Sequence, residues 1–483
     1  MPYKWSEGKL IERKYSPTDV LRMLESAEVD FVNLQFSDLL GRLKQVTIPS
    51  YKFNEESFKD GFNKLDGSSI RGFSTIEDSD MVLLPDPNTF AILPWTREKN
   101  KTARLIADVY TGMGRGRLKR DPRYIAQSAE RYLNDKYGMK SLWGPELEFF
   151  VFDEVKWDTM NPYFRQFYEV SSSEAPWSNS SYKTGFKDAY YAVPPIDSLE
   201  SYRNTVSSYL SSFGIIVEAH HHEVAAAGQI EINIYQDTLT NAADSILTLK
   251  LVAKTVAAEM GKVATFMPKP IYGDNASGMH THISLWRGEE NAFYDPLDEY
   301  AELSQLGRYF VGGLLEHSRS LAAIVAPTTN SYKRLVPGFE APVYITWSRA
   351  NRSVIVRIPA YYKRKPGHKR IEYRTPDPSC NPYLAFSAIL LAGLDGIDKK
   401  IDPGDPVDED VYKIPPNKRR ELGIKELPGS LKEAVEELKS DHEYLKPIYS
   451  SDIIDFIVDK GEREYLKLQQ APHPLEFEMY FNL

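Results

Sequence analysis

The chain has 483 residues, of which 42% are hydrophobic and 26% are charged, so it is long enough to bury a large core in about two to four domains. Its 59 basic and 68 acidic residues give a formal charge of -9, which excludes a basic surface for sequence-independent nucleic acid binding and favours small molecules and copies of itself as partners. Cys380 is the single cysteine, so no intramolecular disulfide framework is possible. The polar segment 1–14 and the lack of about 18 consecutive apolar residues predict no signal, no membrane span and a cytoplasmic location.

The first hundred or so residues are predicted to form a small strand-rich domain. Residues 31–36 and 44–48 alternate apolar and polar side chains around a turn, which predicts a hairpin, and residues 103–110 predict another strand. The loop 111–117 reads G-x-G-x-G before a helix predicted over 124–137, and it lacks the spacing of a dinucleotide fingerprint. We therefore interpret it as a linker and divide the chain into domains 1–115 and 116–483, with the boundary near Gly116.

Beyond the linker, helices and strands mix without a βαβ repeat, which predicts an α+β domain. A helix is predicted over 198–213, and a helix that ends in a strand over 239–266, whereas residues 158–188 are predicted to be irregular. Near the end, four apolar side chains alternate with polar ones: Leu475, Phe477, Met479 and Phe481. Such an apolar strap fits either packing on its own body or clasping a neighbouring subunit.

Chemically active residues occupy every second position in four short stretches, at residues 144–148, 229–233, 280–284 and 370–374. Residues two apart share one face of a strand. Each stretch therefore turns acids, imidazoles or guanidiniums to one side and apolar residues to the other. The pattern predicts one polar cavity of the kind that metal-dependent phosphoryl transfer requires.

Five glutamates and one histidine in these and nearby stretches are candidate metal ligands: Glu146, Glu148, Glu223, Glu231, His280 and Glu372. Oxygen-rich ligands with a single imidazole favour Mg²⁺ or Mn²⁺ over Zn²⁺. For any one of these glutamates, a solvated strand face is the competing interpretation. His220, His221 and His222 alternate faces on a strand, so they cannot all bind one metal, and His282 fits either the cavity or a satisfied core position.

Arginines complement these acids. Residues 332–340 predict a loop with a turn at Pro337-Gly338, and residues 349–357 run into a strand on which Arg357 shares a face with Ser353 and Ile355. Guanidinium groups bind phosphates and carboxylates in a bidentate manner. A surface charge without a partner is the alternative for a single arginine, but it fits poorly in an apolar strand.

Six motifs together resemble class I glutamine synthetase, in the order of that family and from about Phe31 to the carboxyl terminus. They are residues 66–70, 144–149, 220–231, 275–280, 330–338 and 370–374. The resemblance implies a small β-grasp-like amino-terminal domain and a large catalytic domain with a curved antiparallel sheet surrounded by helices. It also implies a homododecamer of two hexameric rings, with active sites between subunits.

The resemblance further assigns residue roles. By similarity, Glu148, Glu223 and Glu231 hold one metal ion, and Glu146, His280 and Glu372 hold the other. ATP, the co-substrate, is assigned to Glu218, His282, Ser284, Arg352, Arg357 and Arg370. Glutamate is assigned to Asn275, Ala276, Arg334, Glu340 and Arg374. Asp66 from the adjacent subunit, Glu223 and Tyr190 are assigned to ammonium, and Asp66, Glu340 and Arg352 are the implied catalytic residues.

The implied reaction joins ammonia to the γ-carboxylate of L-glutamate, with ATP consumed and γ-glutamyl phosphate as the intermediate. A γ-glutamyl ligase for another amine and a non-catalytic relative are the alternatives, and the intact motif around Asp66 favours ammonium. Residues 158–188 resemble the insertion of the subtype that is controlled by adenylylation, with Tyr412 at the modified position. Ala276 replaces the usual glycine of the family, and the sequence does not decide which of Lys363, Lys365 or Lys369 approaches ATP.

Overall fold

The structure is a computed structural model that describes residues 3–6 and 9–12 as backbone and residues 14–96, 100–160, 165–339 and 341–481 with side chains. The amino-terminal strands are β1 Tyr3–Ser6, β2 Lys9–Glu12, β3 Phe31–Ser37, β4 Leu43–Pro49, β5 Phe62–Asp66, β6 Asp80–Pro85, β7 Ala91–Ile92 and β8 Thr102–Thr111, with helices α1 Pro17–Ser26 and α2 Glu55–Lys59. Strands β1 and β2 pair only with each other. The other strands form a six-stranded sheet in the order β4-β3-β8-β6-β5, with β7 beside β8.

The predicted hairpin is confirmed as β3 and β4, which pair from Phe31 opposite Pro49 to Ser37 opposite Leu43. Strand β3 also pairs in parallel with β8, which confirms the second predicted strand and places it at the centre of the sheet. Apolar side chains of these strands, such as Leu34 and Leu105, are fully buried in a separate core. The amino-terminal part therefore folds around its own sheet.

The remainder of the chain is built on a second, larger sheet. Its strands and the accessory strands are β9 Lys140–Phe152, β10 Glu154–Asp158, β11 Phe167–Ser171, β12 Val217–His222, β13 Gln229–Ile234, β14 Val263–Thr265, β15 Met279–Arg287, β16 Glu290–Asn291, β17 Tyr344–Arg349, β18 Val354–Ile358, β19 Ile371–Tyr373 and β20 Lys425–Glu426. The 10-stranded sheet has the order β12-β13-β9-β15-β19-β18-β17-β20, with β14 beside β9 and β16 beside β15. Its pairs are antiparallel except β17 with β18, which run parallel.

The described helices of this part lie mainly on the apolar face of this sheet, although not all of them contact it. They are α3 Pro122–Tyr137, α4 Glu200–Ser212, α5 Leu239–Glu259, α6 Gln305–Glu316, α7 Ser318–Val325, α8 Ser331–Arg334, α9 Pro382–Lys399, α10 Pro416–Glu421, α11 Leu431–Ser440, α12 Ser451–Gln469 and α13 Pro474–Tyr480. The three predicted helices are confirmed as α3, α4 and α5, and the strand predicted after α5 is β14. Trp143 of β9 stacks on Phe386 of α9 at 5.1 Å between ring centroids, so the sheet and the helices share one core.

Three local predictions need correction. Residues 158–188 include a regular strand, β11, which pairs with β10. The segment 332–340 begins inside the short helix α8 rather than wholly in a loop. The terminal apolar residues are not on an extended strap, because Leu475, Phe477 and Met479 lie on helix α13 and Phe481 follows its last residue. All four are exposed, so this helix does not bury its apolar side chains on its own body. A helix forms because the His473 side chain accepts from the Leu475 amide and Pro474 occupies the first turn.

Among the described residues, none of the helices is both long enough and apolar enough to cross a membrane.

A buried ionic cluster around His317 joins three helical segments. The imidazole lies 2.9 Å from Asp395 of α9 and 2.9 Å from Asp441 after α11, and it stacks on Tyr444. Burial alone would lower the pKa of His317, but the two carboxylates raise it to about 9. The charged imidazole is therefore a stabilising partner at neutral pH.

We expect His317→Asn to lower the free energy of unfolding at pH 7 by about 3 kcal/mol, since a raised pKa measures the preference of the folded state for the charged imidazole. This contribution is complete below the unfolded pKa of about 6.5 and is lost as the pH rises through the folded value. Urea denaturation from pH 6 to pH 10 should thus show the two proteins converging at high pH. His473→Asn, at an exposed histidine, is the control. A constant difference across this range would contradict the prediction.

Candidate active site

The polar face of the large sheet carries three rows of side chains that run across neighbouring strands. In the first row, His221 of β12 lies opposite Glu231 of β13, which lies opposite Glu148 of β9. In the second row, Asn233 of β13 lies opposite Glu146 of β9, which lies opposite His280 of β15. Residues opposite each other on paired strands have adjacent side chains. The antiparallel register therefore brings together acids that are far apart in sequence.

The third row begins on β15, the strand on which the second row ends. His282 of β15 lies opposite Glu372 of β19, which lies opposite Arg357 of β18. Because His280 and His282 are two residues apart, they face the same side of β15. The three rows place the four predicted strand stretches side by side, as the alternation of their residues predicted.

Glu148 and Glu231 are buried carboxylates held by neutral donors. Glu148 accepts from the Gly278 amide at 2.9 Å and from Gln229 Nε2 at 3.2 Å. Glu231 accepts from Asn233 Nδ2 at 2.8 Å. Burial is the main cause that raises the pKa of Glu148, and the neighbouring Glu231 charge adds to it. The register thus sets two buried carboxylates side by side, an arrangement that a bound cation would stabilise.

Glu146 lies between two imidazoles. His282 Nε2 is 2.9 Å from one of its oxygens, and His280 Nδ1 is 3.6 Å from the other and 3.7 Å from Glu148. Burial raises the pKa of Glu146, but the two histidines outweigh it and hold the pKa well below its usual range. His282 Nδ1 in turn accepts from Arg370 Nε at 3.1 Å, so Nε2 is the ring nitrogen that donates to Glu146.

Two groups of acids and histidines have ligand atoms close enough to share a cation. They are Glu146, His282 and Glu372, and His221, Glu223 and Glu231, each with ligand atoms within 4.8 Å of one another. His221 was not assigned from the sequence. Its position two residues before Glu223 was the available signal, since residues i and i+2 of a strand share a face.

The three consecutive histidines do alternate faces. His221 Nε2 lies 3.3 Å from Glu231, on the polar face. His222 is buried behind it, 3.0 Å from Glu174, and His220 Nδ1 accepts from Arg203 at 3.3 Å. Only the middle histidine joins the carboxylate rows.

Glu372 is the most deeply enclosed of the acids. Arg357 donates to one of its oxygens, and Arg374 Nε lies 3.2 Å from the other. Burial raises the pKa of Glu372, but Arg374, His282 and Arg357 lower it to about 2. The carboxylate is therefore ionised and fixes the orientation of two arginines on the polar face.

A second polar cluster surrounds Asn275 and Arg334. The buried Arg334 guanidinium donates to the carbonyls of Thr375 at 2.7 Å and of Arg374 at 3.1 Å, and burial lowers its pKa. Among the described residues, the buried Asn275 Oδ1 has no hydrogen-bond partner. Ala276 does not adopt a positive φ, so the backbone of this loop accommodates alanine without strain. The cluster thus offers a cationic and an accepting group to a small ligand.

Most of the predicted site residues border one cavity with a volume of about 1010 Å³. The predicted residues that line it are Glu146, Glu148, Tyr190, Glu218, Glu223, Glu231, Asn275, Ala276, His280, Arg334, Arg352, Arg374 and Tyr412. Tyr191, which the sequence analysis did not single out, also lines it and stacks on Tyr190 at 4.2 Å. The volume exceeds that of a typical small-ligand pocket and suits two substrates held side by side.

Other predicted residues lie behind or away from the cavity lining. Glu372 contacts the lining residue Arg374, and His282 contacts the lining residue Glu146. Arg357 and Arg370 lie one step further back, because Arg357 pairs with Glu372 and Arg370 donates to His282. Ser284 is buried and accepts from Trp286 Nε1 at 2.8 Å. Lys369 is buried and donates to the Ala301 carbonyl, whereas Lys363 and Lys365 are exposed. Of these three lysines, only the exposed two are free to reach a ligand.

Asp66 lies at the end of β5 in the amino-terminal sheet and does not line this cavity. Its carboxylate accepts from the Ser68 hydroxyl at 2.7 Å and the Ser69 hydroxyl at 2.8 Å, and these bonds lower its pKa. The acid is therefore exposed and ionised. Glu340 lies outside the described residues.

Tyr412 closes one side of the cavity. Its hydroxyl donates to the carbonyl of Ala341, which follows the predicted catalytic residue Glu340 in sequence, at 2.8 Å. We expect Tyr412→Phe to raise the KM for glutamate, the substrate that the resemblance implies, about three- to tenfold with little change in kcat, because one neutral hydrogen bond contributes about 0.5–1.5 kcal/mol. Steady-state kinetics with varied glutamate measures this, and Tyr465→Phe on α12 is the control. An unchanged KM would show that this hydrogen bond does not position the segment.

Comparisons with known proteins agree with this geometry. Residues 119–480 match the family model described as glutamine synthetase, catalytic domain, and residues 28–112 match glutamine synthetase, beta-Grasp domain. The chain belongs to the glutamine synthetase family. A glutamine synthetase from Sulfolobus acidocaldarius is 54% identical over 96% of this chain and 98% of its own length, and one from Aquifex aeolicus is 46% identical over 97% and 100%.

Solved structures show the same architecture. The cryo-EM structure of Plasmodium falciparum glutamine synthetase has a TM-score of 0.87 at 26% identity and covers 97% of this chain and 99% of its own. The predicted α+β fold, with its β-grasp amino-terminal domain and its sheet-and-helix catalytic domain, is confirmed. As a glutamine synthetase of the class I type, the chain ligates ammonia to the γ-carboxylate of L-glutamate at the expense of ATP, giving glutamine, ADP and phosphate.

Proposed function

We propose that the chain performs this reaction on the polar face of its large sheet, with the rows of acids as the site of two divalent cations, Mg²⁺ or Mn²⁺. Glu148, Glu223 and Glu231 would hold one ion. Glu146, His280 and Glu372 would hold the other. The observation that supports this most directly is the cross-strand register that sets Glu231 against Glu148 and His280 against Glu146.

The chemistry of the donors fits hard cations. The rows supply carboxylate oxygens with a few imidazoles and no thiolate, which is the donor set that Mg²⁺ and Mn²⁺ prefer. Burial and the Glu231 charge raise the pKa of Glu148, and a cation beside this carboxylate would offset both effects. When bound, the ions would neutralise charge on the transferring phosphoryl group.

Glutamate is placed in the cluster around Asn275. Asn275 Oδ1, which has no hydrogen-bond partner among the described residues, would accept a hydrogen bond from the amino group of glutamate. Arg334 and Arg374 would attract the carboxylates of glutamate. Among the described residues, the buried guanidinium of Arg334 donates only to backbone carbonyls, and no carboxylate lies at salt-bridge distance from it, so its donors are not committed to an acid. Glu340 would close over this substrate and exclude water.

ATP would bind beside glutamate, with Glu218, His282, Ser284, Arg352, Arg357 and Arg370 as its partners. A carboxylate resists attack by ammonia, so the glutamate γ-oxygen first takes the γ-phosphoryl group of ATP, and ADP leaves. Arg352 lies on the cavity wall and would stabilise the charge that spreads over the phosphoryl oxygens. The Glu372 carboxylate keeps Arg357 in place for the same task.

Ammonium is then held by Asp66, Glu223 and Tyr190. The serine hydroxyls that lower the pKa of Asp66 keep it ionised, which favours capture of a cation. Asp66 would accept a proton from ammonium, and the resulting ammonia would attack the acyl phosphate to release phosphate. Water attack, which would waste ATP, is the reaction that the closed cavity suppresses.

An assembly completes the site. Asp66 lies outside the cavity of its own chain, so we propose that a neighbouring subunit supplies it, in a dodecamer of two hexameric rings. The exposed apolar helix α13 supports contact with another copy, because exposed apolar patches commonly mark interfaces. The domain boundary near Gly116, the cytoplasmic location and adenylylation of Tyr412 stay predictions. The half-buried Tyr412 hydroxyl would have to leave Ala341 before it could be modified.

A phosphate-release assay tests the proposal. We expect release from ATP to require both glutamate and ammonium, with methylamine a poor replacement, because the Asp66 pocket suits a small cation. Glutamine formation should match phosphate release mole for mole. Equal or faster release with methylamine would indicate a γ-glutamyl ligase for amines, and no release with any amine would indicate a non-catalytic relative.

A further inference from the structure

A second cavity lies far from the carboxylate rows, where the tip of the β3–β4 hairpin meets the helical layer. Gly41 at the tip packs against Asn381, whose side-chain amide donates to the carbonyls of Asp38 and Leu39. The volume is about 470 Å³, within the usual range of small-molecule sites, which is about 300–1,000 Å³. None of the residues assigned to the reaction lines it.

Cationic side chains outnumber carboxylates in the lining of this cavity. Its lining includes four cationic side chains, Arg42, Lys250, Lys254 and Lys460, and one carboxylate, Glu464. Glu464 pairs with Lys460 at 2.9 Å. Among the described residues, no carboxylate pairs with the other three cations at salt-bridge distance. An excess of positive charge thus faces a concave space.

The cations are held close together at a cost in stability. Lys250 and Lys254 are four residues apart on α5, where like charges repel, and both ammonium groups lie within 6 Å of the centroid of the Phe266 ring, at 5.7 and 5.6 Å. Lys250 Nζ donates to the Pro378 carbonyl at 2.6 Å and lies deep in the cavity. Burial lowers the pKa of Lys250 to about 8, and the proximity of Arg42 adds to burial in lowering that of Lys254. A bound anion would relieve this repulsion.

The remaining walls are largely apolar. Leu43, Leu251, Ile324 and Phe456 line the space between the cations. Such a wall fits the body of an organic molecule rather than a bare inorganic ion, since apolar lining with a few fixed charges is typical of small-molecule sites. Lys254 and Arg42 are exposed and stand where an entering anion would meet them.

We propose that this cavity is a binding site for a small organic dianion, either a dicarboxylate or a phosphate monoester, whose apolar body packs on Phe456 and whose charges contact Lys250, Lys254 and Arg42. The site is separate from the catalytic cavity and does not depend on the proposed function. An occupant here touches both the amino-terminal hairpin and helices α5, α9 and α12. It would therefore bridge the two sheet-based parts of the chain.

Titration calorimetry on the assembled full-length protein tests this, with phenyl phosphate and benzene-1,3-dicarboxylate as probes. Saturating ADP, Mg²⁺ and glutamine keep the probes out of the catalytic cavity. We expect one probe molecule per chain, and the probe that binds more tightly identifies the ligand class. Lys254→Glu and Lys250→Met should each weaken binding about tenfold or more, since each removes a charge-assisted contact. Lys467→Glu, an exposed lysine of α12 outside the lining, should leave binding unchanged.

Three results would overturn the proposal. One is that neither probe binds the wild-type protein. Another is that Lys254→Glu, at an exposed and therefore tolerant position, binds as well as the wild type. The third is that the probes bind only after residues 474–481 are deleted, because the cavity would then belong to the terminal helix of a neighbouring copy. Since binding is measured without turnover, each of these results leaves the proposed function unaffected.

Discussion

Glu372→Ala is expected to lower the free energy of unfolding by about 3–5 kcal/mol and to reduce kcat/KM by about a hundredfold or more. Glu372 is only 1% exposed and pairs with Arg357 and Arg374, so its removal leaves two guanidiniums without their carboxylate. Breaking a buried ion pair costs more than the pair contributes, because the remaining charge stays desolvated. The same change removes a proposed metal ligand.

Urea denaturation and steady-state kinetics measure the two effects separately. Glu372→Gln keeps the shape and one acceptor, so it should recover part of the stability while activity stays low. Glu218→Ala, at an exposed acid of the cavity lining, is the matched control and should leave stability within about 0.5 kcal/mol of the wild type. If Glu372→Ala and Glu218→Ala were equally stable, Glu372 would not organise the arginines.

Asp66→Ala is expected to reduce glutamine formation by roughly 10²- to 10⁴-fold, the usual contribution of a positioned general base. Metal binding should be unchanged, because Asp66 lies in the amino-terminal sheet, away from the carboxylate rows. Steady-state assays at varied ammonium, run beside metal titration, distinguish the two. The serine hydroxyls that bond to Asp66 should make Ser68→Ala a milder version of the same defect.

Asp60→Ala is a suitable control, since Asp60 is an exposed acid of the same domain at the end of α2. It should keep full activity and full assembly. An equal loss of metal affinity and of amide formation in Asp66→Ala would count against the role of a base. Because the proposed site takes Asp66 from a neighbouring copy, mixing Asp66→Ala with Arg334→Ala subunits should restore part of the activity in mixed assemblies.

Local pattern predicted much of the fold and which side chains share the polar face of their strands. The hairpin β3–β4, strand β8 and helices α3 to α5 follow from alternation and helical periodicity, which depend on neighbours in sequence. The same alternation showed that Glu146 and Glu148 share a face. It also showed that His220, His221 and His222 cannot all lie on one face. Residue types alone favoured hard cations.

Other features did not follow from the alternation of residue types, either because a local cap overrode it or because they arise from contacts between distant segments. The terminal residues alternate like a strand but form the helix α13, because a histidine cap and a proline in the first turn decide the local backbone. Lys369 donates to the Ala301 carbonyl and is therefore not available to the site, and no sequence pattern predicts that contact. The cationic cavity combines side chains from a hairpin and two helices that are hundreds of residues apart.

By itself, the sequence determined which faces of which strands carry acids, imidazoles and guanidiniums, because a period of two residues is a property of the local backbone. Only the tertiary structure decided that Glu231 meets Glu148, that His280 meets Glu146 and that Arg357 meets Glu372. Strand order and register are set by long-range hydrogen bonding and by burial of the opposite, apolar face, and neither is encoded within a single segment.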